Sequence, residues 1–165
     1  MFKNLFKKSV KAENEEIYSP LDGEVVSLGN VPDPVFSQKM MGEGIAIIPR
    51  LGNLTAPVKG EVVQVFHTKH ALGIKSDNGL ELLIHIGIDT VELNGEGFQV
   101  LVKQGQSVNI GDPLVNFDIP FLKSKNKEII TPIIITNTNE RIENIVQNAQ
   151  QDVSNGDLLI TCKLK

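Results

Sequence analysis

An antiparallel β-sandwich with few helices is the fold class this sequence predicts, and three observations predict it. Short runs rich in Val, Ile, Leu and Phe recur between clusters of Gly, Pro, Asn and Asp, at intervals too short for helices. One strand-entry device occurs twice, as Ser19-Pro20-Leu21-Asp22-Gly23-Glu24-Val25-Val26 and as Ala56-Pro57-Val58-Lys59-Gly60-Glu61-Val62-Val63. Such an internally duplicated motif fits a pair of related half-sandwiches. Asn78-Gly79 stands between two Leu- and Ile-rich runs, a strong short-range hairpin signal. With 165 residues, 41% of them hydrophobic, the chain is large enough to bury one sizeable core.

The elements follow in order. Residues 1–16 are expected to be a flexible or amphipathic N-terminal segment, and residues 17–165 the sandwich domain. Phe2, Leu5, Phe6 and Val10 would share one helical face, with Lys3, Lys7 and Lys8 elsewhere. A helix of that kind gives weak, reversible contact with anionic lipid through residues 1–10, and a frayed tail is the alternative. Lys11 to Glu16 reads as a linker. Alternating or continuous apolar runs bounded by turn residues then predict strands at 23–28, 44–49, 60–66, 70–75, 80–86, 99–102, 113–118, 133–136 and 157–163. In each copy of the repeated device Pro fixes φ before the turn, Gly fills a crowded or positive-φ position, and a β-branched pair opens the strand. Ile142, Ile145, Val146 and Ala149 fall at helical spacing behind the cap candidates Asn137-Thr138-Asn139, which predicts one short helix. Residues 121–125 predict another turn.

Composition excludes several functions. A net charge of -4 and a pI near 5.4 argue against nucleic acid as a main partner, since phosphate contacts need a basic surface. No apolar run is long enough to span a bilayer, and the N-terminus lacks the apolar core and cleavage site of a signal peptide. The single cysteine, Cys162, makes no internal disulfide and suits a reducing, cytoplasmic setting. Its place in the last strand reads as packing.

The chemistry gathers around two of the three histidines, His70 and His85, on adjoining strands. A loop of Asn78-Gly79 alone pairs Leu72 with His85 and leaves His70 one diagonal step away. A loop from Ser76 to Gly79 sets His70 directly opposite His85. Both registers place the imidazoles on one face, roughly 5–8 Å apart at Cβ. An odd loop length would send them to opposite faces. Thr68, two residues before His70, can fix that ring's tautomer through a hydrogen bond. Phe66 and Leu83 would make the surroundings apolar. A pair of packed strand histidines with no role is the bland reading. After His85 the glycines of Ile86-Gly87-Ile88-Asp89-Thr90-Val91-Glu92-Leu93-Asn94-Gly95-Glu96-Gly97-Phe98 let backbone approach a ligand. There is no Walker-type loop and no carboxylate cluster for Mg²⁺.

Leu83 to Phe98 strongly resembles the active-site signature of the glucose-family enzyme IIA of the bacterial phosphoenolpyruvate–sugar phosphotransferase system. Thr68-Lys69-His70-Ala71, Val31-Pro32-Asp33-Pro34-Val35-Phe36 and Lys39-Met40-Met41-Gly42-Glu43-Gly44 support the match, which runs from about Ile17 to Lys165. The resemblance implies a β-sandwich phosphocarrier. Its donor is the phosphohistidine of the small carrier HPr, and its acceptor is a cysteine on the IIB domain of a sugar permease. By the same resemblance His85 is the phosphorylated histidine, His70 stabilises the phosphoryl group, and Thr68 orients His70. Asp33 and Asp89 meet the partners' arginines, while Phe36, Met40, Met41, Phe66 and Ile86 belong to an apolar docking patch. Relatives can carry an aromatic where Leu83 stands, which alters ring packing rather than chemistry. No cofactor is required; His70 and His85 could hold zinc together with a partner's carboxylate in a regulatory complex, and regulatory target proteins are further expected partners.

Two other classes compete. A zinc hydrolase needs three protein ligands, and Asp89 would have to join His70 and His85, since His67 has the wrong strand parity. A swinging-arm carrier would need a lysine at a turn tip, and Lys59 lies beside no modification signature.

Overall fold

The computed structural model describes residues 12–165. Their strands are β1 (Asn14–Tyr18), β2 (Gly23–Val26), β3 (Glu43–Pro49), β4 (Asn53–Thr55), β5 (Gly60–Val65), β6 (Ala71–Ser76), β7 (Glu81–His85), β8 (Phe98–Val100), β9 (Ser107–Val108), β10 (Pro113–Phe117), β11 (Thr131–Ile135), β12 (Ile142–Gln147), β13 (Asp152–Val153) and β14 (Leu158–Leu164). They form an eight-stranded sheet of order β13-β2-β3-β11-β7-β6-β5-β9 and two three-stranded sheets, β1-β14-β12 and β4-β10-β8. The strand pairs are antiparallel. Helices are short: α1 (Pro34–Ser37), α2 (Ile119–Ser124), α3 (Thr138–Arg141) and two 3-10 turns, Leu28–Asn30 and Thr90–Leu93. That is more helical turns than the one or two expected, though each spans six residues or fewer. Among the described residues no helix is long and apolar enough to cross a membrane.

The sequence alternation shows why the large sheet sits where it does. Ile45 and Ile47, Leu72 and Ile74, Leu82 and Ile84, and Ile133 and Ile135 all point into the main core. There they meet Ile17, Leu54, Leu114, Phe117 and Ile160 from the two small sheets. Fully burying a side chain of this size contributes about 1.5–3 kcal/mol. The residues between them, Ala46, Leu83 and Ile134, face the other way into a second cluster with Ala71, Leu28, Val31, Phe36, Ile88 and Ile130. This second cluster exists because the chain between β2 and β3 folds over the outer face of the large sheet. The excursion is held by the Asp33 side chain, which accepts from the Val35 N–H at 2.9 Å, with Pro34 opening α1. Cys162 is wholly covered in β14, and burial pushes its thiol up to about 12.

Several expectations are corrected. The helix expected from Ile142, Ile145, Val146 and Ala149 is instead strand β12, which pairs with β14. A bulge between Ile142 and Asn144 adds one residue, so Ile142 and Ile145 oppose Leu164 and Cys162 on one face. Three-residue spacing thus arises in a strand and mimics a helical period. The linker reading fails for Asn14 to Glu16, which pair with Lys163, Cys162 and Thr161 as part of β1. The amphipathic helix expected within residues 1–10 lies outside the described residues.

The hairpin register differs from both even-loop possibilities. Ser76 donates its N–H to Leu80 O at 2.8 Å, which leaves the three-residue loop Asp77-Asn78-Gly79 with Gly79 at φ +93°. Ala71 therefore pairs with His85, and the Ile86 N–H donates to His70 O at 2.7 Å.

Candidate active site

His85 ends β7, on the face of Leu83 and away from the main core. Its Nδ1 lies 2.7 Å from the carbonyl oxygen of Gly87. A carbonyl only accepts, so Nδ1 carries the proton and the neutral ring keeps its lone pair on Nε2. The turn that brings this carbonyl back needs glycine. Gly87 has φ +73°, and a Cβ there would stand 2.7 Å from both Glu128 O and Thr90 Cγ2.

His70 lies one residue before β6, just after Lys69 at φ +64°. Strand alternation does not govern its side chain there, which is why an odd hairpin loop still lets the two imidazoles meet. Their centroids are 4.8 Å apart with the rings at 81°. His70 Nδ1 is 2.8 Å from Thr68 Oγ1, and the ring is buried. Phe66 packs edge-on against His70 at 5.6 Å, and Phe36 tilts against His85 at 5.0 Å.

Burial dominates the acidity of the pair. Desolvation, helped by the neighbouring imidazole, pushes His70 down to about 4, against a smaller opposing effect of the Thr68 backbone. Desolvation also lowers His85, opposed by its bond to Gly87 and by the carboxylates of Asp33 and Asp89. Both rings are therefore neutral near pH 7, with a nucleophilic nitrogen available on His85.

The other expected site residues divide by depth. Met40 is 69% exposed and Met41 38% exposed, on a turn that runs between Lys39 at φ +58° and Gly42 at φ +135°. Phe66 is half-buried, Asp33 is half-buried at the start of α1, and Asp89 is exposed at φ +59°. Phe36 is buried, so it supports the His85 ring from beneath rather than offering surface. Ile86 is wholly buried in the main core and cannot line a docking face; the strand parity that turns His85 outward turns Ile86 inward. Val35, 40% exposed on α1, was not anticipated. The Gly87 carbonyl was also missed: only a glycine two residues after the histidine hinted at a returning backbone. A shallow cleft of about 230 Å³ opens on the same outer face, lined by Met41, Val63, Phe66, Gly73 and Leu83, where Gly73 offers no side chain to fill it.

Among the described residues no group of three or more His, Cys, Asp or Glu side chains is arranged to hold a metal ion. Asp89 does not complete the ligand set that the hydrolase alternative demands.

The family model for the phosphoenolpyruvate-dependent sugar phosphotransferase system, EIIA 1, matches residues 15–141. The PTS system glucose-specific EIIA component of Staphylococcus aureus (strain Mu50) is 56% identical over 141 residues, 85% of each chain. The component of the same name from Staphylococcus epidermidis (strain ATCC 12228) is 54% identical over the same share of each. The solved structure of glucose permease IIA from Mycoplasma capricolum superimposes with a TM-score of 0.84 at 40% identity, covering 91% of this chain and 96% of that one. With the two-histidine site lying inside the matched region, this chain belongs to the EIIA 1 family of the phosphoenolpyruvate-dependent sugar phosphotransferase system.

Proposed function

We propose that His85 accepts a phosphoryl group from the phosphohistidine of HPr and hands it to a cysteine on the IIB domain of a sugar permease. The observation that carries this reading is the commitment of His85 Nδ1 to the Gly87 carbonyl, which leaves Nε2 unprotonated on a half-exposed ring. In the first step the Nε2 lone pair attacks phosphorus while the donor's N–P bond breaks and its electron pair returns to the leaving nitrogen. The positive charge gained by the phosphorylated ring is stabilised by the Nδ1–H bond to Gly87 O, with Asp33 and Asp89 nearby. In the second step a thiolate attacks phosphorus and the His85 ring recovers its electron pair.

His70 stands edge-on to this ring and steadies the phosphoryl oxygens. Thr68 holds His70 in orientation through its Nδ1. Transfer between nitrogen nucleophiles needs alignment and charge stabilisation more than a separate base, so the reaction requires no metal. Met40, Met41, Val35 and Phe66 form the apolar surface on which partners dock, with Asp33 and Asp89 placed for their arginines. The names of its relatives point to a glucose-type permease as acceptor. In the unphosphorylated form the same surface would receive regulatory targets, and a phosphate's nearly two negative charges would repel them. Zinc shared by His70, His85 and a target's carboxylate belongs to such a complex, not to the transfer.

Incubation with phosphoenolpyruvate, enzyme I and HPr tests the reading. Acid-labile, base-stable phosphate on the wild-type chain and none on His85→Ala is the expected result. Normal phosphorylation of the variant, seen by intact mass, overturns it.

A further inference from the structure

Thr90 is wholly buried, and its Oγ1 donates to the Ile86 carbonyl at 2.6 Å. The other side of the same residue is also engaged, because the Ile86 N–H donates to His70 O at 2.7 Å. Ile86 follows His85 directly, and the next residue, Gly87, supplies the carbonyl that holds His85 Nδ1. The Thr90 methyl fills the space a Cβ on Gly87 would occupy. One side chain therefore fastens Ile86, the residue that follows His85 and whose N–H meets the His70 backbone, on the buried side where no partner reaches. The 3-10 turn it opens is otherwise weakly tied at that end: Asp89 makes no side-chain capping bond there.

We infer that Thr90 is a positioning residue for phosphoryl transfer: its hydroxyl fixes the turn after His85 so that the Gly87 carbonyl keeps His85 in the tautomer with Nε2 free. The inference rests on the proposed role of His85. Val at this position keeps shape and removes the hydroxyl, leaving the Ile86 carbonyl without its partner. The turn can then relax and the Nδ1 bond loosen. A shift of about 1 Å at a reacting atom can cost up to about 10²-fold in rate.

The test compares wild type, Thr90→Val and Thr90→Ser by ¹⁵N NMR of the His85 ring and by single-turnover transfer from phospho-HPr. Thr90→Val should show a mixture of His85 tautomers and a maximal transfer rate lowered roughly tenfold, with the half-saturating HPr concentration changed less than about twofold. Thr90→Ser should keep the wild-type tautomer and rate. A Thr90→Val chain with wild-type tautomer and rate overturns the inference, and so does a loss that appears only in the half-saturating concentration. If Thr90→Val does not fold, Thr90→Ser decides: loss of the tautomer with the hydroxyl present overturns the inference, and its retention supports it. Failure of the underlying reading shows separately, as wild-type chain that takes no phosphate on His85.

Discussion

His70 and His85 meet edge to face with centroids 4.8 Å apart, yet the residue paired with His85 across the hairpin is Ala71. The two rings reach each other because His70 stands just outside its strand, behind a left-handed Lys69. They are held by different anchors: His85 by a backbone carbonyl, His70 by a side-chain hydroxyl. On the proposed reading, different anchoring implies different parts in the transfer.

Replacing each ring should separate those parts. His85→Gln should neither accept nor donate phosphate. His70→Gln keeps a neutral N–H donor, so acceptance from HPr should fall by no more than about tenfold. Donation to IIB should fall by roughly 10²-fold, the size of a lost acid–base or charge-stabilising group. Single-turnover rates for both half-reactions decide it; equal losses would mean that His70 only positions.

Docking should depend on the exposed apolar residues and not on Phe36. Met40→Asp should slow second-order transfer from HPr roughly tenfold at low protein concentration while leaving thermal stability unchanged. Phe36→Ala should instead cost about 3–5 kcal/mol of stability by opening a cavity under the His85 ring. Stopped-flow transfer and urea unfolding of the two variants separate these effects.

The desolvated imidazoles should make the fold sensitive to mild acid. His70 is harder to protonate folded, at about 4, than unfolded, near 6.5. The unfolded chain therefore binds more protons in that window, and stability falls as pH drops from about 6.5 toward 4. The loss for this ring is roughly 3 kcal/mol, and His85, lowered for the same main reason, adds to it in the same direction. Urea midpoints measured across the window should fall steeply for wild type and less for His70→Gln. Parallel curves would show that another group titrates.

Truncation should reveal where the folded unit begins. A chain starting at Ala12 is the reference for urea unfolding, since it holds all the described residues. One starting at Ile17 loses the β1 pairing of Asn14 to Glu16 and the bond from Asn78 Nδ2 to Glu15 at 3.0 Å. It should be less stable by about 2 kcal/mol or more.

Much of the fold was legible because apolar alternation is a local property. The strands built on Ile45 and Ile47, on Leu82 and Ile84 and on Ile133 and Ile135 lie within a residue or two of where that pattern puts them. What escaped depended on pairing. The bulge after Ile142 and the odd loop at Asp77-Asn78-Gly79 are set by which strand lies opposite, and periodicity carries no record of that. The same limit applies at the site. His85, His70 and Thr68 stand out in the chain, but the Gly87 carbonyl is backbone and every residue carries one. Phe36 and Ile86 looked like docking surface because apolar residues near a site read alike until their depth is known.

The burial of Cys162 has a bearing on how the chain handles its cargo. A phosphoryl group bound for a sulfur atom must not find one on the way. The only thiol in this sequence is sealed in β14 and held protonated by its surroundings, with its ionisation pushed up to about 12. A protonated sulfur cut off from solvent is no nucleophile, so a phosphoryl group on His85, as proposed, would find no short circuit within the chain. On that reading the only thiol the group could meet is one brought by another protein.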